Sequence, residues 1–137
     1  SALVFLDTLS DDTNTYTFTF GLVGGGNSTT LVLVDEITIQ YRHNLNSGKF
    51  LGVCRSSSSE STQDLGITVA VNTPYVLTVC CSKSNTEARN YINGVFAGRI
   101  TTNVASATLG VRAIIAKSAG ATARLAYVSG MTAFNIL

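Results

Sequence analysis

A chain that cut glycosidic bonds would need two carboxylates about 5 Å apart for retention of configuration, or further apart for inversion. The sequence offers neighbouring carboxylates at Asp11-Asp12 and Asp35-Glu36. Successive strand residues point to opposite faces, and in a turn both side chains usually meet water, so neither pair supplies a convergent acid and nucleophile. The strand spacing Glu-x-Asp-x-x-Glu, which some glucanases use, does not occur. The single histidine, His43, lies in Arg42-His43-Asn44 at the edge of a polar stretch with no Gly-x-Ser-x-Gly elbow in the chain. It reads as a solvated loop histidine rather than the base of a triad.

Metal chemistry has as little to build on. Zinc needs His, Cys or carboxylates at set spacings, and no EF-hand loop is present. Asp7, Asp11 and Asp12 would suit a calcium loop, but Asp closes Asx turns without any ion, which is the simpler reading. Gly24-Gly25-Gly26 is followed by neither a helix pattern nor Gly-Lys-Ser/Thr, so it reads as a connection and not a phosphate loop. We therefore expect no catalytic residue, metal or cofactor, and no enzyme activity.

The remaining candidates are polar groups on a sheet. Gln40, Arg42 and Arg55 are expected as exposed groups on one face, where a guanidinium meets a carboxylate, a sialic acid or a neighbouring subunit. A plain solvated arginine, or one paired within the chain, is the simpler state. Sugar-binding modules often stack pyranose rings on exposed Trp or Tyr; this chain has no Trp, and its tyrosines mostly fall in the apolar register of strands. That weighs against a lectin.

The elements that would position these groups are strands. Tyr16, Phe18, Phe20 and Leu22 alternate with Thr15, Thr17 and Thr19; Ile37, Ile39 and Tyr41 alternate with Thr38, Gln40 and Arg42; Ile67, Val69 and Val71 alternate with Thr68 and Ala70. Each pattern predicts a half-buried strand with its apolar set on one face. Tyr75 to Cys81 alternates less strictly and predicts a central strand covered on both sides, opened by the only proline, Pro74. In Tyr91-Ile92-Asn93-Gly94-Val95-Phe96, Asn93 and Gly94 supply the two positive φ angles of a type I′ hairpin turn. Strands are expected at 95–102, 109–117 and 123–134, the last broken near Gly130. The alanines between 119 and 126 are too interrupted for a long helix. Gly, Ser and Asn clusters break the chain every ten or so residues, the spacing of an all-β sandwich.

Length and composition agree. A chain of 137 residues fits one domain spanning 1–137, with a core large enough to need no staples. Hydrophobic residues at 45% against 12% charged exclude a disordered tail, and a net charge of +1 without a basic block argues against nucleic acid. No apolar run reaches the ~20 residues of a membrane span, and no signal-peptide pattern opens the chain. Cys54, Cys80 and Cys81 form an odd set with an adjacent pair, expected as three free thiols and pointing to a reducing cytoplasm. Cys80 and Cys81 should face opposite ways.

The order of several segments carries a resemblance: Lys49-Phe50-Leu51-Gly52-Val53-Cys54-Arg55, Asp64-Leu65-Gly66-Ile67-Thr68-Val69, Asn72-Thr73-Pro74-Tyr75-Val76-Leu77, Asn90-Tyr91-Ile92-Asn93-Gly94-Val95, Thr101-Thr102-Asn103-Val104 and Lys117-Ser118-Ala119-Gly120-Ala121-Thr122-Ala123-Arg124. Together they resemble the concanavalin A-like (laminin-G-like) jelly-roll domain of bacteriophage and prophage virion structural proteins such as tail fibres. The chain departs from that pattern at Phe50, where many relatives carry Trp, and at Cys80-Cys81. The resemblance implies a two-sheet antiparallel jelly-roll sandwich and a non-enzymatic module of a tail fibre, tail tip or capsid surface. It also implies a homotrimer, contact with other virion proteins, and a place in the virion after assembly in the host cytoplasm. The alternatives it leaves are a domain recognising host surface glycans and, with less support, a glycan hydrolase.

Overall fold

The computed structural model describes residues 1–27, 32–42 and 45–133. Among these residues twelve strands run in chain order: β1 (Ala2–Leu6), β2 (Tyr16–Val23), β3 (Gly26–Asn27), β4 (Val32–Leu33), β5 (Glu36–Arg42), β6 (Lys49–Ser56), β7 (Ser59–Thr68), β8 (Tyr75–Cys81), β9 (Ala88–Ile92), β10 (Val95–Ile100), β11 (Gly110–Lys117) and β12 (Ala126–Ser129). Ten of them build two antiparallel sheets: sheet I in the order β10-β9-β8-β1-β12 and sheet II in the order β11-β2-β5-β6-β7. The short β3–β4 pair forms a hairpin of its own. The two sheets face each other as a β-sandwich.

The inward faces follow from alternation. Tyr16, Phe18 and Phe20 of β2 and Ile39 and Tyr41 of β5 meet Val4, Leu6 and Leu77 of sheet I in the larger core cluster. A second cluster, around Ile37, Cys54, Ala88 and Ile100, fills the other end. Gly52 on β6 lets the strand approach the buried Asn90 of β9, whose Nδ2 stands where a Cβ would lie. Asn93 (φ 54°) and Gly94 (φ 77°) form the expected type I′ turn between β9 and β10. The Asn93 N–H donates to the Val76 carbonyl, and Asn93 Oδ1 accepts from the Val76 N–H, both at 2.8 Å, so the turn is clipped to β8.

Three expectations need correcting. β8 lies in the middle of its sheet but is covered on one side only: Tyr75 and Leu77 are buried, while Val76 and Cys80 are exposed. The alternation expected over 67–71 fails because β7 ends at Thr68 and the register with β6 slips just before it, four steps from Asp64 to Thr68 facing the two from Leu51 to Lys49; Leu65 and Val69 are buried and Ile67 and Val71 are exposed. The final strand is limited to Ala126–Ser129, ending at Gly130 with φ 63°. Phe134 and His43 lie outside the described residues. The three cysteines are free, with Cys54 buried, Cys81 half-buried and Cys80 exposed, as opposite facing of the adjacent pair requires.

Candidate polar cleft on the outward face of sheet II

β5 places Glu36, Thr38, Gln40 and Arg42 on the face away from the core, because Ile37, Ile39 and Tyr41 take the other parity. Register then sets what stands beside them. Glu36 is paired with Arg55 of β6, and Arg55 with Glu60 of β7, so an acid, a base and an acid lie in one row across three strands. Along β5, Thr38 Oγ1 donates to Glu36 Oε2 (2.8 Å), and Gln40 Nε2 donates to the same oxygen (2.7 Å). Arg42 Nε donates to Gln40 Oε1 (2.6 Å).

The Arg42 side chain runs back along its own strand to reach Glu60, with Nη1 donating to Oε1 (3.1 Å) and Nη2 to Oε2 (2.7 Å), a fork-to-carboxylate pair. Arg55 Nη2 donates to the same carboxylate, and its Nη1 donates to the Leu33 carbonyl (3.1 Å), bringing the β3–β4 hairpin against it. Arg55 Nε stands 3.2 Å from Glu36 Oε1 as an ion pair without hydrogen-bond alignment.

This geometry corrects the expectation that Gln40, Arg42 and Arg55 are exposed. The three do share a face and converge, but Gln40 is 2% exposed and both arginines are largely covered. The cause is mutual: long arginine stems lie over the shorter polar groups, and Glu36 Oε2, both ends of the Gln40 amide and the Thr38 hydroxyl find partners among their neighbours, while Glu36 Oε1 and Arg55 Nε are left with their ion pair alone. Glu36, 1% exposed, is the residue that reading along the sequence missed, together with Glu60. The alternation of β5 already put Glu36 in step with Gln40 and Arg42; Glu60 sits in a Ser-rich stretch with no pattern to mark it.

Environment pushes the two acids apart. Burial raises the Glu36 pKa above its ordinary value, against the opposing pull of the Thr38 hydroxyl, Arg55 and Arg42. The hydrogen bond from Arg42, with Arg55 behind it, holds Glu60 below its ordinary value. Such a pair invites a glycosidase reading, but Arg55 fills the space between the carboxylates where a glycosidic oxygen would have to lie, and Glu36 Oε1 is sealed from solvent. A cleft of about 240 Å³ remains at the surface, lined by Thr17, Glu36, Gln40, Arg42 and Arg55.

Elsewhere, Asp11 serves as the turn former expected of it: its Oδ1 accepts from the N–H groups of Thr13 (2.8 Å) and Asn14 (2.6 Å), and its Oδ2 from Arg124 Nη2 (2.7 Å). Those backbone donors hold its pKa down at about 2. Among the described residues no group of three or more His, Cys, Asp or Glu side chains is placed to hold a metal. The outward face of sheet I is of another kind. Leu3 (43% exposed), Val76 (41%), Phe96 (55%) and Tyr127 (49%) stand on it. Phe5 stacks on Tyr127 with ring centroids 4.5 Å apart, and Tyr91 meets Phe96 edge-on at 5.7 Å.

Set against family models, curated proteins and solved structures, the chain matches none of them.

Proposed function

We propose that this chain is a non-enzymatic module of a bacteriophage virion, at a tail fibre, tail tip or capsid surface, that assembles as a homotrimer. The observation that carries the assembly half is the outward face of sheet I. Its five strands hold two charged residues, Arg89 on β9 and Arg99 on β10, and both lie beside Glu87 at one corner. The rest of the face presents Leu3, Phe5, Val76 and Tyr127, so copies of the chain meet there without like-charge repulsion. The virion context, and the finer reading of the sandwich as a concanavalin-like jelly roll, rest on the ordered segments from Lys49 to Arg124. Light scattering or native mass spectrometry tests the assembly: a trimer is expected, and Phe96→Asp combined with Tyr127→Asp should return it to a folded monomer. A wild-type chain that stays strictly monomeric at high concentration sinks this reading.

A second reading, a domain that binds host surface glycans, is favoured by one observation: Gln40, Arg42 and Arg55 converge on a cleft of about 240 Å³. Reproducible hits on a glycan array would support it, and their absence at concentrations where weak multivalent lectins respond would remove it.

A further inference from the structure

The cleft on sheet II has a donor-rich chemistry that narrows what it accepts. Arg42 and Arg55, which line the cleft, converge on one carboxylate, Glu60, whose side chain is 29% exposed. Arg42 is anchored from behind by Gln40 Oε1, which fixes its fork in the plane that receives a carboxylate. Thr17 and Gln40 border the same space. Its volume, about 240 Å³, is below the roughly 300–1,000 Å³ of pockets for drug-sized ligands, and suits a single ring. Among the described residues no aromatic side chain lines it, so binding to them comes from charge and hydrogen bonds rather than stacking.

Resting on the glycan-binding reading, we propose that this cleft takes one acidic sugar residue, a uronic or sialic acid, whose carboxylate replaces Glu60 on the Arg42 fork while its ring hydroxyls meet Thr17 and Gln40. Glu60 is then an internal stand-in for the ligand. It is suited to exchange because it stands on β7, two residues after the Ser57-Ser58 turn, and the hydrogen bonds of its side chain go to the two arginines at its carboxylate tip. Glu36 is a positioning residue: from beneath, its Oε2 holds Gln40 and Thr38 in place.

The test is a titration of the ¹⁵N-labelled chain with glucuronate, N-acetylneuraminate, glucose and acetate at low salt, followed by amide shifts. Saturable shifts at Thr17, Gln40, Arg42 and Arg55 are expected for the two acidic sugars, with a Kd on the order of 1 mM for so small a ligand. Glucose and acetate should bind at least about tenfold more weakly, because each lacks half of the recognised chemistry. Arg42→Gln should abolish the shifts. Glu60→Gln should tighten glucuronate binding about threefold or more by removing the internal competitor, and Glu60→Asp, one methylene shorter, serves the same comparison if the glutamine variant unfolds. Equal binding of glucose and glucuronate overturns the acidic assignment and leaves the glycan reading standing. Acetate binding as tightly as glucuronate reduces the site to an anion site and overturns the sugar. No shift with any of the sugars sinks this inference and the glycan reading together, while the trimer is judged separately by mass.

Discussion

The outward faces of the two sheets start from the same backbone rule and end differently. On sheet II the outward parity of β5 carries Glu36, Thr38, Gln40 and Arg42, and the sheet buries all but the last by folding arginine side chains over them. On sheet I the outward parity of β1, β8 and β12 carries Leu3, Phe5, Val76 and Tyr127, and among the described residues Leu3, Val76 and Tyr127 stay exposed and Phe5 half-buried against Tyr127. The polar face finds most of its partners within the monomer; the apolar face is left for a neighbour. Buried polar groups demand partners at once, since an unpaired one costs about 1–3 kcal/mol. Exposed apolar area costs little until a partner is at hand.

The sharpest way to break this contrast is to remove one arginine from each sheet. Arg55→Ala leaves Glu36 buried without its ion pair and should cost about 3 kcal/mol, near the lower end for breaking a buried pair because the acid can take up a proton. For a chain of this size that is a fall of roughly 10 °C in unfolding temperature. Arg89→Ala, on a side chain more than half exposed, should leave the unfolding temperature unchanged. Equal effects of the two substitutions would mean that the sheet II network is not buried as described.

The hairpin turns offer the next comparison. On sheet I the turn residues Asn93 and Gly94 suit their positive φ angles, and Gly94→Val should cost about 1–2 kcal/mol because a β-branched residue is strained there. On sheet II the β6–β7 turn is made by Ser57 (φ 48°) and Ser58 (φ 70°), held by the Asp35 carboxylate (3.1 Å) and the Val34 carbonyl (2.9 Å). Two L-residues in the left-handed region are a standing cost beside Arg55 and Glu60. Ser58→Gly should therefore stabilise, by about 0.5 kcal/mol once the entropy of glycine is set against the strain relieved. Denaturant midpoints measure both, and a stabilising Gly94→Val would show that the type I′ turn is absent.

Protons sharpen the picture further. Glu36 binds a proton more tightly in the folded chain than its ordinary value of 4.5, so stability falls as pH rises from there through the raised folded value. Glu60, Asp11 and Asp64 are lowered and act in the opposite sense, losing their contribution as pH falls through their folded values. Glu36→Gln should flatten the decline above pH 4.5 and leave the acid limb in place. Thermal unfolding across pH 3–9 reads this, and an unchanged slope would remove Glu36 as its source.

What was legible beforehand tracks the range of each interaction. The strands β2 and β5, the Asn93-Gly94 turn and the all-β class depend on neighbours within a few residues, and alternation or turn chemistry displays them. The convergence of Gln40, Arg42 and Arg55 was half legible: parity put the first two on one face, but their burial depends on Glu60, eighteen residues beyond Arg42 and two strands away. Sheet order decides that meeting. The same limit hid the exposure of Val76 and Cys80, since a run rich in Val, Leu and Cys reads alike whether one side or both are covered. The β3–β4 hairpin escaped because Gly24-Gly25-Gly26 signals a connection and nothing more.

The smallest effect on stability should come from the cysteines, which sample both sheets at three depths. Cys80 stands on the outward face of β8, exposed among the groups left for a neighbour. Cys81 faces the second core cluster, half-buried, and burial raises its pKa. Cys54 comes from sheet II into the same cluster, and burial, with Cys81 and Glu36 adding to it, pushes its thiol up to about 12. The thiolate is the reactive form, so depth and pKa act in the same direction. In the monomeric Phe96→Asp, Tyr127→Asp variant, iodoacetamide at pH 8 should label Cys80 first and Cys81 later, with Cys54 modified only as the sandwich opens, and carbamidomethylation of Cys80 should leave the unfolding temperature where it was. Under denaturing, non-reducing conditions all three thiols should titrate. Mass spectrometry of the native digest settles the order: labelling of Cys54 as fast as Cys80 would mean that the inward face of sheet II is not closed by sheet I.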